Sequence, residues 1–515
     1  MGKKSGKKGG SQTDNAGSAS PANVDEKYGI NSFGDLNAEN LKNVICNNRY
    51  AQMLLVLTIA AFALRFYNLG FNSIWLDEGS TLGFARQSLL GIWETSVSGG
   101  DVHPPLFYSI EHIMLTFGES EFILRFVPAL LGALTIPVFY FIGRDICGRM
   151  GGIISAALLT FSSFHVYYSQ DARAYTTMLF FFSIAVLFYL IALRSDSLKH
   201  WIIFGVFASL SFWSHFYVFI AVGILILHAL IVKRDAVLKD IKSVKNIVAG
   251  LVAFLIISIP LFIMAFGMFF KITSSAPTWG LSGFNVFIQT ILQITDGIYL
   301  AALFGILAFI GGIFLLLNKD KRDYGYLMVL SLILPFIASY FISSLMPMSP
   351  RYMIYILPFF FVSISAAFCF IPQNIDYKKV ASGAMAVLFL ISIPYFMGYY
   401  TTYTKDDWRG FSGQLSAITN EGDYIVVMPG YMAQPLDYYY SSTADGTIQK
   451  GASSAANLEN INAERLNGTG ESVAYYIVTW DITAANPSGD ALEWLSKNAE
   501  FIGQNMGIYV FRSHN

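Results

Sequence analysis

The chain has 515 residues, of which 54% are hydrophobic and only 13% charged, with 44 Phe, 29 Tyr and a net charge of −1; its mean hydropathy is +0.51. An ordinary soluble domain carries roughly twice that share of charge, so much of this surface must face something other than water. A near-zero net charge excludes a global basic field for nucleic acid, and three scattered cysteines, Cys46, Cys147 and Cys369, form neither a disulfide framework nor a metal-ligand spacing.

In chain order, residues 1–44 come first: four early lysines, then Ser, Gly, Ala and Asn. Such a stretch buries too little apolar surface to order itself, and no apolar core follows the lysines as in a signal peptide. It is expected to be a disordered cytoplasmic tail. From 45 to 401 the chain reads as a membrane domain. Runs long enough to cross a bilayer fall near 49–70, 121–143, 150–168, 174–194, 246–270, 298–317, 325–345, 352–371 and 379–400. The long run 201–232 is broken by Trp213-Ser214-His215 and reads as two short spans, 201–213 and 216–232, which makes about eleven.

Basic residues accumulate in cytoplasmic loops. Eleven spans place the N-terminal lysines, Arg144 with Arg149, Arg194 with Lys199, the Lys233–Lys245 group, Lys319 to Arg322, and Lys378 with Lys379 on that side together. The N-terminus is then cytoplasmic. Counting 104–117 as a span would reverse the sides, so it is expected to be a helix lying in the outer interface, inside a first external loop of about 71–120. Residues 402–515 alternate strand-like runs (Tyr424–Met428, Val473–Thr479, Gly507–Phe511) with helix-like ones (407–418, 488–498). They predict a small extracytoplasmic α/β domain, and Asn467-Gly468-Thr469 is a glycosylation acceptor pattern compatible with that side.

The cations on the wrong side of the charge rule then need an account: Arg65, Arg86, Arg125, Arg173, Lys271 and Arg351. Arg65 and Lys271 are expected to snorkel from helix ends. The others share their side with Trp75-Leu76-Asp77-Glu78, His103-Pro104-Pro105-Leu106, Gln170-Asp171-Ala172-Arg173-Ala174-Tyr175 and His215. Each motif alone has a plain structural explanation: solvated loop acids, a helix start, a salt bridge, a hydrogen-bonded core histidine. Gathered on one face by an argument that never used their chemistry, they supply carboxylates for proton removal and guanidinium groups for phosphate.

In this order, with Leu124-Arg125-Phe126, Pro128 and His215-Phe216-Tyr217, the motifs resemble the GT-C superfamily. More narrowly they are similar to the family 39 and protein-mannosyltransferase-like group, over about residues 49–400. The resemblance implies a multipass membrane enzyme; a plasma membrane is expected rather than an endoplasmic reticulum, no Gly-rich loop after a strand points to a nucleotide cofactor, and no nucleic-acid partner is expected. The enzyme would move a hexose such as mannose, with inversion, from a polyprenyl-phosphate-linked donor to a hydroxyl of a protein, glycan or lipid. It further implies Asp77 as general base, supported by Glu78, with Arg125 on the lipid phosphate. Asp171 and Arg173 would complete the acidic and phosphate-facing sides of the cavity, and Arg351-Tyr352 would add a phosphate contact. His103 stands where many relatives carry Lys. It either makes a proton-dependent phosphate contact or shares a divalent metal ion with His215. A transporter or flippase, or a non-catalytic scaffold, is the alternative. The halves show no obvious repeat and the spans no run of charges.

Overall fold

The computed structural model describes residues 42, 46–98, 103–240, 244–273, 277, 279–369, 377–468 and 472–514. The expected tail 1–44, Lys42 excepted, lies outside the described residues, as do Thr469 of the acceptor pattern and the side chain of Lys271.

Helix dominates up to Thr401. In order these are α1 (Arg49–Phe66), α2 (Leu76–Ala85), α3 (Leu89–Val97), α4 (Leu106–Met114), α5 (Glu121–Thr160), α6 (Ser163–Ser169), α7 (Tyr175–Ser195), α8 (Leu198–Ser214) and α9 (Val218–Val232). After a short helix at Arg234–Lys239 come α10 (Lys245–Ile272), α11 (Asn285–Ile294), α12 (Ile298–Leu317), α13 (Arg322–Ile342), α14 (Leu357–Cys369), entered through a 3-10 turn at Pro350–Ile356, and α15 (Tyr377–Thr401). Among the described residues seven helices are long and apolar enough to cross a membrane by length and composition. Their outward faces carry Ile256, Ile263, Phe266, Ile306 and Phe309, all more than half exposed. Water would penalise such faces, whereas hydrocarbon does not. The protein is an integral membrane protein.

The expected span 121–143 and the first part of the expected span 150–168 merge into α5, which is helical from end to end except at Gly148, and the rest of the second falls in α6. There φ is +75°, a left-handed value that glycine adopts without steric cost, and the axis breaks. Helices approach closely where side chains vanish: a Cβ on Gly205 of α8 would lie 2.3 Å from the Gly250 carbonyl of α10. Small residues at a membrane helix contact let backbones meet in this way.

Arg65 does not snorkel. It is fully buried, and its guanidinium donates to the carbonyls of Ala61, Leu159 and Thr160 and meets Nδ1 of His165 at 2.7 Å. It caps the C-terminal end of α5, where the helix dipole and orphan carbonyls favour a cation.

Beyond Thr401 the chain forms α16 (Trp408–Ser416), β1 (Tyr424–Met428), α17 (Ala433–Tyr439), β2 (Ile448–Gly451), α18 (Ala455–Leu466), β3 (Ala474–Thr479), α19 (Asp490–Asn498), β4 (Ala499–Asn505) and β5 (Ile508–Ser513), with three single-turn helices between. The sheet order is β2-β1-β3-β5-β4. β1 pairs in parallel with β2 and β3, and β5 pairs antiparallel with β3 and β4. β1 and β3 are buried on both faces, as central parallel strands covered by helices must be. One face packs Tyr476, Leu458 and Trp494; the other packs Trp408, Phe411 and Leu436 and also receives Leu76 of α2.

That last contact belongs to a broad seam between the sheet domain and the loop after α1. Ile74 N–H donates to the Tyr439 hydroxyl (2.8 Å), which donates to Glu121 (2.7 Å). Ser73 donates to Asp407 (3.0 Å), and Arg409 reaches both the Gly70 carbonyl and Glu121. Gly79 sits so near α17 that a Cβ would lie 3.1–3.2 Å from Gln434 and Pro435.

Candidate active site

The segment Trp75–Glu78 reads as loop in sequence, yet it opens α2. Trp75 is the extended N-cap, and Asp77 and Glu78 occupy the first turn, where the exposed N–H groups of a helix favour negative charge. Successive residues on a helix diverge by about 100°, so the two carboxylates face different surroundings. The Glu78 side chain is fully buried, while that of Asp77 keeps 21% of its surface exposed.

Glu78 anchors a closed, charge-balanced quartet. Arg125, from the first turns of α5, grips it with Nε and Nη2, both at 2.7 Å. The remaining donors of Arg125 go to the carbonyls of Leu69, Asn72 and Ser73 at 2.8–3.0 Å. All five guanidinium protons are thereby used. The Ala172 N–H also donates to Glu78 (2.9 Å). Lys405, from the link between α15 and α16, lies 3.1 Å from Glu78 and 2.8 Å from Asp171. Two buried carboxylates thus meet two buried cations, the arrangement that burial of charge demands. Burial would raise the Glu78 carboxyl, but Arg125 and Lys405 outweigh it and hold it at about 2. At Asp171 burial prevails and pushes the carboxyl up, with Lys405 pulling back and Glu78 adding to the rise.

The second half of the cluster is open and carries excess positive charge. Asp77 Oδ2 is 3.0 Å from Arg351 and 3.9 Å from Nε of Arg173. Arg173 also reaches the Asp77 carbonyl (3.2 Å) and stands 3.0 Å from Nε2 of His103. The His103 and His215 rings are 6.0 Å apart. His215 terminates α8 and is walled by Tyr175, Tyr217 and Tyr352 at 5.0–5.8 Å between ring centroids. Burial, then His103, then Arg173 and Arg351 depress its imidazole far below the ordinary range, so it is neutral. Arg351 lies over the faces of Trp75, Tyr175 and Tyr352, each at 5.6 Å, and the Trp75 indole donates to Asp171 at 2.8 Å. Three buried polar atoms with no hydrogen-bond partner among the described residues lie here: Arg351 Nε, Tyr175 Oη and His215 Nε2. Native interiors rarely tolerate such orphans, and three in one cluster mark a place built for a polar ligand.

The structure brings Asp77, Glu78, His103, Arg125, Asp171, Arg173, His215 and Arg351 into this one network. It does not leave Arg125 free for a lipid phosphate: the side chain is wholly buried and every donor is engaged within the protein. Glu78 and Asp171 likewise lie inside the closed quartet and not beside Asp77's open flank. The two histidines make a poor metal site. Among the described residues no group of three His, Cys, Asp or Glu side chains is arranged to hold an ion, and a guanidinium occupies one edge of His103. Lys405 is the residue that sequence reasoning missed. Its one signal in the sequence is that it is the first cation after the last expected span.

The comparisons with known proteins agree with this architecture. Residues 102–263 match the family model described as dolichyl-phosphate-mannose-protein mannosyltransferase. An uncharacterised Aquifex aeolicus protein is 30% identical over 159 residues, and that match spans 29% of this chain and 32% of the relative. The structure of ArnT from Cupriavidus metallidurans bound to undecaprenyl phosphate superposes with a TM-score of 0.57 at 15% identity, over 89% of this chain and 97% of that one. The oligosaccharyltransferase AglB from Archaeoglobus fulgidus, in complex with an inhibitory peptide and a dolichol-phosphate, gives 0.52 at 13% identity, over 92% and 75%. The fold is that of the GT-C membrane glycosyltransferases.

Proposed function

We propose that this GT-C-fold membrane protein is a glycosyltransferase that takes a hexose, mannose or a close relative, from a polyprenyl-phosphate-linked donor. It passes the sugar with inversion to an acceptor hydroxyl on the extracytoplasmic face of a plasma membrane. The observation that carries this reading is Asp77, a partly exposed carboxylate flanked by Arg351 and Arg173, beside a cluster of unpartnered buried polar atoms. The two solved relatives hold the kind of lipid phosphate that such a donor would leave behind: undecaprenyl phosphate in one, a dolichol-phosphate in the other.

The division of labour follows from charge. The donor phosphate enters the cationic half and draws on Arg351, Arg173 and His103 for charge-assisted hydrogen bonds. Arg351, whose Nε has no partner among the described residues, meets the phosphate while its Nη1 holds the Asp77 carboxylate toward the acceptor. As the acceptor oxygen bonds to the anomeric carbon, the carbon–oxygen bond to phosphate breaks and its electron pair leaves with the lipid phosphate. Fixed cations stabilise that charge as it develops, so no nucleotide leaving group is needed. Asp77 takes the hydroxyl proton as the new bond forms, since the free hydroxyl is far too weak an acid to ionise beforehand. His215 Nε2 and Tyr175 Oη, neutral and buried, are placed to pair with sugar hydroxyls. The quartet of Glu78, Arg125, Asp171 and Lys405 has no reacting partner in this scheme; it fixes α2 and thereby Asp77.

The test is a donor panel. Purified protein in nanodiscs, given polyprenyl-phosphate sugars and hydroxyl acceptors, is expected to release free polyprenyl phosphate with a hexosyl donor. Silence with every donor and acceptor would sink the reading.

A further inference from the structure

Lys405 is the only member of the buried quartet that does not come from α2, α5 or the Asp171 loop. It is delivered by residues 402–407, the link from the last long helix to the sheet domain. That link is clamped to the loop after α1 along its length. The Tyr403 and Phe71 rings stack at 4.7 Å and 5°. Thr404 N–H donates to Asn72 (2.9 Å), Ser73 donates to Asp407 (3.0 Å), and Arg409 N–H donates back to Ser73 (3.2 Å). From the sheet domain Trp480 donates to Asp406 (3.3 Å). A four-carbon stem buried to this degree, 8% exposed, is ordered at a cost in side-chain entropy that its two carboxylate contacts and its place over the Trp75 and Tyr167 rings offset.

From Lys405 the contacts run outward without a gap. Its Nζ holds Asp171 Oδ1, the same oxygen that receives the Trp75 indole N–H. Lys405 and Arg351 lie over the Trp75 ring, each at 5.6 Å, and Arg351 holds Asp77. We infer that Lys405 is a positioning residue through which the docked sheet domain sets the active site: it neutralises Asp171, so that Asp171 fixes Trp75 and Trp75 fixes Arg351 against Asp77. This deepens the proposed function and rests on it for its activity readout. The groups that face Asp171 are Glu78, Arg125, Lys405 and the hydroxyls of Tyr167, Tyr168 and Tyr399. Without Lys405, one guanidinium already committed to Glu78 is left to serve two buried carboxylates.

The experiment compares wild type with Lys405→Met, Lys405→Arg and the double variant Lys405→Met/Asp171→Asn, each in nanodiscs. In the activity arm, K405M is expected to lower kcat roughly tenfold or more with donor KM within about twofold. Its acid limb should move to higher pH, because Asp171 without its cation holds a proton more tightly. K405R should restore most of kcat. A second arm needs no donor: Tm is measured from about pH 8 down to about pH 5. The gap between wild type and K405M should be widest at high pH, where Asp171 must be ionised, and should narrow as it protonates. In the double variant the pH dependence of the gap should vanish. A K405M gap that stays constant with pH, or K405M with wild-type kcat and acid limb, overturns the inference. If wild type proves silent with every donor, the glycosyltransferase reading falls by itself, and the Tm arm still decides whether Lys405 neutralises Asp171.

Discussion

Asp77 and Arg351 form an ion pair of 3.0 Å between side chains that keep 21% and 17% of their surface exposed, at the boundary between the closed quartet and the open cationic half. The first consequence concerns the carboxylate. Replacing Asp77 with Asn keeps the shape and removes the proton acceptor. Loss of a positioned general base costs about 10²–10⁴ in rate. Turnover of a competent donor should fall by that factor while Tm and binding of free polyprenyl phosphate stay near wild type. Single-turnover kinetics with a labelled donor checks it, and full activity in D77N would remove the base assignment.

The partner arginines should fail differently. Arg351→Met and Arg173→Met each take a guanidinium from the open half, where Arg351 Nε has no partner among the described residues and Arg173 flanks the same carboxylate. A charge-assisted contact is stronger than a neutral one and contributes about 1.5–3 kcal/mol. Inhibition by free undecaprenyl phosphate should therefore weaken by roughly tenfold or more in either variant. Unchanged inhibition in both would place the phosphate elsewhere.

Arg125 and Glu78 make the opposite prediction. Removing one partner of a buried bidentate pair strands a charge and costs about 3–5 kcal/mol. Arg125→Met should lower Tm and folded yield sharply, and Arg125→Met/Glu78→Gln should recover part of the loss. Proton linkage gives a second readout. The Glu78 carboxyl is held at about 2, below its unfolded value. A depressed carboxyl contributes stability above its unfolded pKa, and that stability is lost as pH falls through the folded value. The contribution should fade below about pH 4.5 and be gone near about pH 2. Hydrogen exchange in α2, followed across this window, should rise in wild type and remain flat in the double variant.

The membrane helices were legible because their signal is one-dimensional: long apolar runs and the placement of Lys and Arg need no knowledge of contacts. β1, β3 and β5 were legible for a similar reason, as short β-branched and aromatic runs between turns. β2, with Gln449 and Lys450, and the exposed edge strand β4 carry no such pattern, because an edge strand need not be apolar. At the site, residue types and their common face could be read, but not which donors were already spent. Arg125 and Arg173 look equivalent in sequence. Only three-dimensional packing shows that the backbone carbonyls of Leu69, Asn72 and Ser73 use up the first. Lys405 escaped because its partners lie 234 residues away at Asp171 and farther still at Glu78, a separation that no local pattern encodes.

The histidine pair supplies the last prediction. Two imidazoles with rings 6.0 Å apart, one of them beside the Arg173 guanidinium, invite either a shared metal ion or a contact with phosphate. The donor set favours phosphate. A catalytic zinc site takes three protein ligands, and no third His, Cys, Asp or Glu joins the pair among the described residues. The two possibilities separate on one substitution. Lysine keeps a donor and a positive charge for phosphate but cannot replace imidazole as a neutral nitrogen ligand at ordinary pH. His103→Lys should retain at least roughly a third of wild-type kcat/KM, and His103→Ala should lose roughly tenfold, chiefly in KM. Extended dialysis against a chelator should leave wild-type turnover unchanged. Loss of activity on chelation, restored by one divalent ion and abolished in His103→Lys, would establish the metal and transfer His103 and His215 from substrate binding to coordination.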